Sequence, residues 1–95
     1  FYNFSKGIPM TAAGDIYQGT LIDVRTPSEF SEGHHPHAIN IPLDQIPLRL
    51  AHIKSLKSPL YMCCKSGGRS GSAVEWLSHQ GIPSTNVGGW STVPQ

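Results

Sequence analysis

Apolar positions in this chain cluster in short runs separated by segments of helical spacing, and glycine or proline stands at most of the joins. Thr20 to Val24 is nearly continuous in apolar character around Asp23, the mark of a strand buried on both faces. Before it, Thr11 to Gln18 reads as a weak helix blunted by Gly14 and ended by Gly19. After it, Thr26-Pro27-Ser28-Glu29 has the order of a capping box, opening a short helix that stops at Gly33. Ala38 to Ile41 is a second strand, closed by Pro42. A helix is expected from near Asp44, with Leu43, Ile46, Leu50 and Ile53 on its buried face and Pro47 in its first turn. Leu60 to Cys63 is the third strand. Residues 70 to 80 form the next helix, carrying Ala73, Val74, Trp76 and Leu77 and stopped by Gly81 with Pro83 beyond. Thr85 to Val87 is a last edge strand, expected to be truncated, before Gly88-Gly89-Trp90. Strands alternating with helices imply an α/β fold, a small parallel sheet with helices on both faces. Ligands of such sheets bind at the carboxyl ends of the strands.

With 95 residues there is room for one modest core. The expected division is an N-terminal extension, 1–10, and a single domain, 11–95. Seven basic against six acidic residues give no broad field for a polyanion, so neither nucleic acid nor a membrane surface is an expected partner. No apolar run approaches the roughly 20 residues of a membrane span. The two cysteines are adjacent, which does not suit disulfide geometry. The chain starts at Phe1, as a processed chain or a fragment would, and this leaves the compartment open between cytoplasmic and, after loss of a signal peptide, periplasmic.

The strand ending at Cys63 runs directly into Cys64-Lys65-Ser66-Gly67-Gly68-Arg69, a glycine-rich, doubly basic loop, and then into a helix. A thiol at Cys64 would face backbone N–H groups and a helix N-terminus, an anion site built around a nucleophile. Only the thiolate attacks, and helix N-termini and nearby cations lower its pKa from about 8.5. Lys65 and Arg69 supply cations, Gly67 and Gly68 let the amides turn inward, and Ser70 is placed to cap the helix. Cys63, inside the strand, reads as a small buried hydrophobe.

Three blocks together resemble a single-domain rhodanese of the sulfurtransferase family, in particular the short phage-shock-protein-E-like members. Leu21-Ile22-Asp23-Val24-Arg25, continuing through Glu29-Phe30, Gly33-His34 and Ala38-Ile39-Asn40-Ile41-Pro42, is similar to the family's first signature. Cys64 to Ser70 resembles its active-site loop, and Gly88-Gly89-Trp90 its closing element. The resemblance covers about residues 11 to 93 and implies a rhodanese-like fold. It also implies transfer of a sulfane sulfur, from thiosulfate or a persulfide donor to a thiol or cyanide, through a persulfide on Cys64. Lys65, Ser66, Gly67, Gly68, Arg69 and Ser70 would bind the small anionic donor. The acceptor could be a small thiol or a protein, and no cofactor is called for. The family usually has a bulky aliphatic and a glycine where His35 and His37 stand, and the role of these two is open.

Asp23 and Arg25 are expected near the site in a structural role, satisfying loop backbone groups or pairing with carboxylates. His34, His35 and His37, interrupted by Pro36, fit no common zinc spacing, so no metal site is expected. His34 matches the family's Gly-His element and should pack and hydrogen-bond. Trp76 and Trp90 read as core or interface. Two other functions compete. Counted from Cys63, five residues precede Arg69, the C-x5-R-S pattern of a cysteine-dependent phosphatase or arsenate reductase. That loop wants glycine where Ser66 stands. The other alternative is a non-catalytic rhodanese-like interaction module, a type that usually lacks the cysteine.

Overall fold

The structure is a computed structural model that describes residues 18–95. The helix expected over Thr11 to Gln18 and the proposed extension lie outside the described residues, apart from Gln18 in a turn. Four strands, β1 (Thr20–Asp23), β2 (Ala38–Asn40), β3 (Leu60–Cys64) and β4 (Thr85–Gly89), form one sheet in the order β2-β1-β3-β4. Every pairing is parallel. Three α-helices connect them: α1 (Pro27–Glu32), α2 (Leu50–Ser55) and α3 (Gly68–His79).

Side chains alternate across a strand, and this divides the core into two layers. Ile22, Val24, Leu60, Met62 and Cys64 face one side, against Ile46, Ile53, Ala73, Leu77 and Ile82. Leu21, Tyr61 and Cys63 face the other, where they meet Val87, Val93 and the flank of Trp90 in a C-terminal 3-10 turn (Trp90–Thr92). The neighbouring cysteines therefore lie on opposite faces of the sheet.

Local chemistry explains the element boundaries. Thr26 accepts from the Glu29 N–H at 3.2 Å while Glu29 accepts from the Thr26 N–H at 3.0 Å, the reciprocal capping box read from sequence, and Gly33 ends α1. The long helix expected from Asp44 is not present. Two 3-10 turns, Leu43–Gln45 and Pro47–Arg49, precede the short α2. Pro47 has no N–H to give to Leu43, so the Leu43 carbonyl takes the Ile46 N–H instead, at 3.2 Å. The apolar stripe survives the change: Ile46 and Ile53 are fully buried, and Leu43 and Leu50 pack on the same layer.

The final strand is not truncated: β4 has five residues, as many as β3. It carries a bulge. Met62 pairs with Asn86 and Cys63 with Gly88, which leaves Val87 as the extra residue. Gly88 turns the chain there at φ +86°, a conformation that disfavours any side chain.

Candidate active site

Cys64 is the last residue of the central strand β3, one position further into the strand than the sequence pattern indicates. The chain then loops through Lys65 and Ser66 to Gly67, which adopts φ +103° at the N-cap of α3. This left-handed step aims backbone donors at the sulfur. The Gly67 N–H lies 3.0 Å from Cys64 Sγ, the Ser70 N–H 3.4 Å and the Ser70 hydroxyl 3.3 Å. The residue itself is 1% exposed. Burial pushes the Cys64 thiol up, but the Ser70 hydroxyl and the amides of Ser70, Ser66 and Gly67 outweigh it and hold the pKa down to about 7. Cys63 is the converse case. Burial, with Asp23 adding to it, pushes its thiol up to about 12.

Two roles assigned from sequence are corrected. Ser70 does not cap α3, because the helix begins two residues earlier, at Gly68, with Gly67 at the cap position. Ser70 is instead fully buried and turns its hydroxyl onto Cys64 and Asn86. Arg69, expected as a cation beside the thiol, is paired elsewhere. Its fork is closed by Glu29 of α1, with Nη1 to Oε1 at 2.7 Å and Nη2 to Oε2 at 3.0 Å. Arg69 and the Thr26 amide hold the Glu29 carboxyl down to about 2, so this clasp between α1 and the first turn of α3 stays ionised well into acid. The loop cations were also expected to depress the thiol, whereas hydrogen bonds to sulfur dominate.

Lys65 and Ser66 are exposed, as is Gly68, around which there is open space. Lys65 borders a cleft of about 330 Å³ lined by Arg25, Glu29, Glu32, Gly33 and Trp90. Asp23 and Arg25 form the buried base of this region. Arg25 Nε and Nη2 reach the Asp23 carboxylate at 2.8–3.0 Å, Nη2 also donates to the Gly33 carbonyl at 2.7 Å, and the guanidinium lies 4.8 Å from the Trp90 ring centre. Hydrogen bonding to Asp23 pushes the Arg25 pKa up. Asn40, at the end of β2, donates to the carbonyls of Asp23 and Arg25 and fixes the turn between them.

His34 stacks on Phe30 and bonds its carbonyl through Nδ1 at 2.9 Å. His35, fully buried, accepts the His37 N–H at Nδ1, so Nε2 carries the proton and donates to the Pro94 carbonyl at 3.0 Å. It ties the approach to β2 to the end of the chain. Among the described residues, no group of three or more His, Cys, Asp or Glu side chains is arranged to hold a metal ion.

Asn86 was not singled out from sequence. Its Oδ1 accepts from the Ser70 hydroxyl at 2.7 Å and from the Gly88 N–H at 3.0 Å, and its Nδ2 donates to the Gly67 carbonyl at 2.9 Å. The available signal was a residue of low strand propensity inside a strand, two positions before a glycine pair.

A model of the Rhodanese-like domain family matches residues 10–92. The chain belongs to the rhodanese-like family. A sulfurtransferase of Allochromatium vinosum is 38% identical to this rhodanese-like chain over 64% of its length and 56% of that protein's. Thiosulfate sulfurtransferase PspE of Escherichia coli is 37% identical over 72% of the chain and 67% of PspE. Among solved structures, a rhodanese with anions from E. coli superposes with a TM-score of 0.70 at 34% identity, covering 79% of this chain and 93% of that one. The rhodanese-like chain thus spans little more than half the length of the Allochromatium relative. Among the described residues, no helix is long and apolar enough to cross a membrane.

Two expected results follow from the site's geometry. Thiolate forms above a depressed pKa and is lost below it, so alkylation of Cys64 should rise with pH through a midpoint near 7. Cys63 should stay unlabelled until the protein unfolds or the pH approaches 12. Peptide mass analysis of a pH series of iodoacetamide labelling checks both, and co-labelling of the two cysteines would refute the assignment. Gly89 pairs with Cys64 across β3 and β4, and a Cβ there would sit 2.6 Å from the Lys65 carbonyl oxygen. Gly89→Ala should therefore cost about 1–3 kcal/mol and move the Cys64 midpoint up toward a free thiol. Wild-type melting and labelling in that variant would contradict the contact.

Proposed function

We propose that this rhodanese-like protein is a sulfurtransferase that carries a sulfane sulfur as a persulfide on Cys64. The donor is thiosulfate or a persulfide, and the acceptor a thiol or cyanide. The observation that carries the reading is the convergence of amide and hydroxyl donors on Cys64 Sγ, with a thiol pKa held to about 7. Cys64 thiolate attacks the outer sulfur of the donor. The donor's S–S bond breaks, and sulfite, where thiosulfate is the donor, leaves with the electron pair. The loop N–H groups stabilise the anionic outer sulfur of the persulfide. An acceptor thiolate or cyanide then attacks that sulfur, and the electron pair returns to Cys64 Sγ. Because Glu29 occupies the Arg69 fork, exposed Lys65 supplies the cation that meets the donor's oxygens.

The phosphatase reading through Cys63 has no support in the geometry, since that sulfur packs with Leu21, Tyr61, Val87 and Val93 on the other face. Intact mass after thiosulfate treatment tests the proposal. The protein should gain one sulfur, lose it to cyanide, and gain none when Cys64 is replaced. An unchanged mass across donors would leave a non-catalytic interaction module as the better reading.

A further inference from the structure

The Ser70 hydroxyl has one proton and two claimants, Asn86 Oδ1 at 2.7 Å and Cys64 Sγ at 3.3 Å. The Asn86 amide cannot turn over without loss, because Oδ1 also takes the Gly88 N–H and Nδ2 gives to the Gly67 carbonyl. A flip would set donor against donor and acceptor against acceptor. Taking the sulfur-transfer reading above as its basis, we propose that Asn86 is a positioning residue for Cys64: its side-chain carbonyl competes with the sulfur for the Ser70 proton and decides which way that hydroxyl points in each half of the cycle.

When Cys64 is a thiol, its S–H donates to Ser70 Oγ and the Ser70 O–H donates to Asn86. When the sulfur is a thiolate it needs donors, and the stronger charge-assisted bond draws the hydroxyl onto sulfur. Asn86 Oδ1 then keeps only the Gly88 N–H. Once Sγ is bonded to the transferred sulfur it is neutral again, and the hydroxyl returns to Asn86. As the acceptor takes that sulfur, the Sγ–S bond breaks, Sγ leaves with the electron pair, and Ser70 swings back to receive it. Asn86 Oδ1 thus accepts the Ser70 O–H whenever Sγ carries no charge.

The direction of its effect separates this role from simple bracing of the loop. Removing the carbonyl leaves the hydroxyl with sulfur alone and favours the thiolate. A loop merely loosened by the change would lose N–H donors to sulfur and favour the thiol. Neither Asn86 nor Ser70 titrates, and β4 carries no ionisable side chain. The charged groups bearing on Cys64 are Arg69 of α3, paired with Glu29 of α1, and the neighbouring Lys65, with Cys63 held neutral on β3.

The test is the pH midpoint of iodoacetamide labelling at Cys64 in the wild type, Asn86→Ala, Ser70→Ala and the double variant. Asn86→Val, a residue suited to a strand, serves as a second acceptor-less form should the alanine variant fold poorly. The readout needs no sulfur donor, so it stands or falls apart from the sulfurtransferase proposal. Loss of one neutral acceptor should lower the midpoint by about 0.5–1 unit. In the Ser70→Ala background the same Asn86 change should leave the midpoint where Ser70→Ala alone sets it. A midpoint that rises on losing Asn86, or shifts equally without Ser70, would overturn the proposal.

Discussion

Cys64→Ser should lower sulfur transfer by roughly 10³-fold or more while the unfolding midpoint stays close to that of the wild type. A serine hydroxyl in the same ring of donors has too high a pKa to ionise at neutral pH and forms no persulfide. The volume change is small, and Ser70 with the Gly67 N–H can bond an oxygen as readily as a sulfur. Cys63→Ser should give the opposite profile. It buries a hydroxyl in the apolar layer of Leu21, Tyr61, Val87 and Val93, which costs about 1–3 kcal/mol if unpaired, and it should leave turnover near wild type. Measuring steady-state transfer from thiosulfate to cyanide alongside thermal unfolding for both variants separates the two thiols. Activity of Cys64→Ser within a few-fold of wild type would sink the persulfide mechanism.

The sequence already carried much of this site, because the signals that place Cys64 are local. A run of apolar residues ending at a cysteine, a glycine pair and a helical spacing fix strand, turn and helix within twenty residues. The capping box at Thr26 was legible for the same reason. What sequence could not give is long-range pairing. Glu29 uses one carboxylate twice: Oε1 receives the Thr26 amide and also Arg69, forty positions away. Its first role was visible and hid the second. Asn86 likewise gains its meaning only when β4 lies beside β3 and its bulge turns the Gly88 N–H back onto the amide. The helix misread after Asp44 is a different kind of error. Its periodicity was correct, and the 3-10 turns and α2 keep Ile46 and Ile53 inward, but the missing N–H of Pro47 outweighed the pattern.

Arg25→Ala should cost about 3–5 kcal/mol, a large share of the roughly 5–15 kcal/mol that holds a small domain folded. Asp23 is 0% exposed at the end of β1, and its carboxylate depends on Arg25 for the guanidinium and for the backbone N–H at 3.0 Å. Truncation leaves that carboxylate buried with the N–H alone. It also frees the Gly33 carbonyl at the end of α1 and removes the cation from the Trp90 face. The pair is not thereby an efficient source of stability, since taking two charges out of water offsets much of their attraction. The penalty comes from stranding one partner. Asp23→Asn combined with Arg25→Ala should accordingly be less destabilised than Arg25→Ala alone, and Arg25→Lys should recover only part of the loss, because an ammonium cannot span Asp23 and Gly33 as a fork does. Urea titration of the four proteins reads these differences directly. A loss below about 1 kcal/mol for Arg25→Ala, the worth of an exposed pair, would mean that water reaches Asp23 and that the base of the cleft is not the sealed ion pair described.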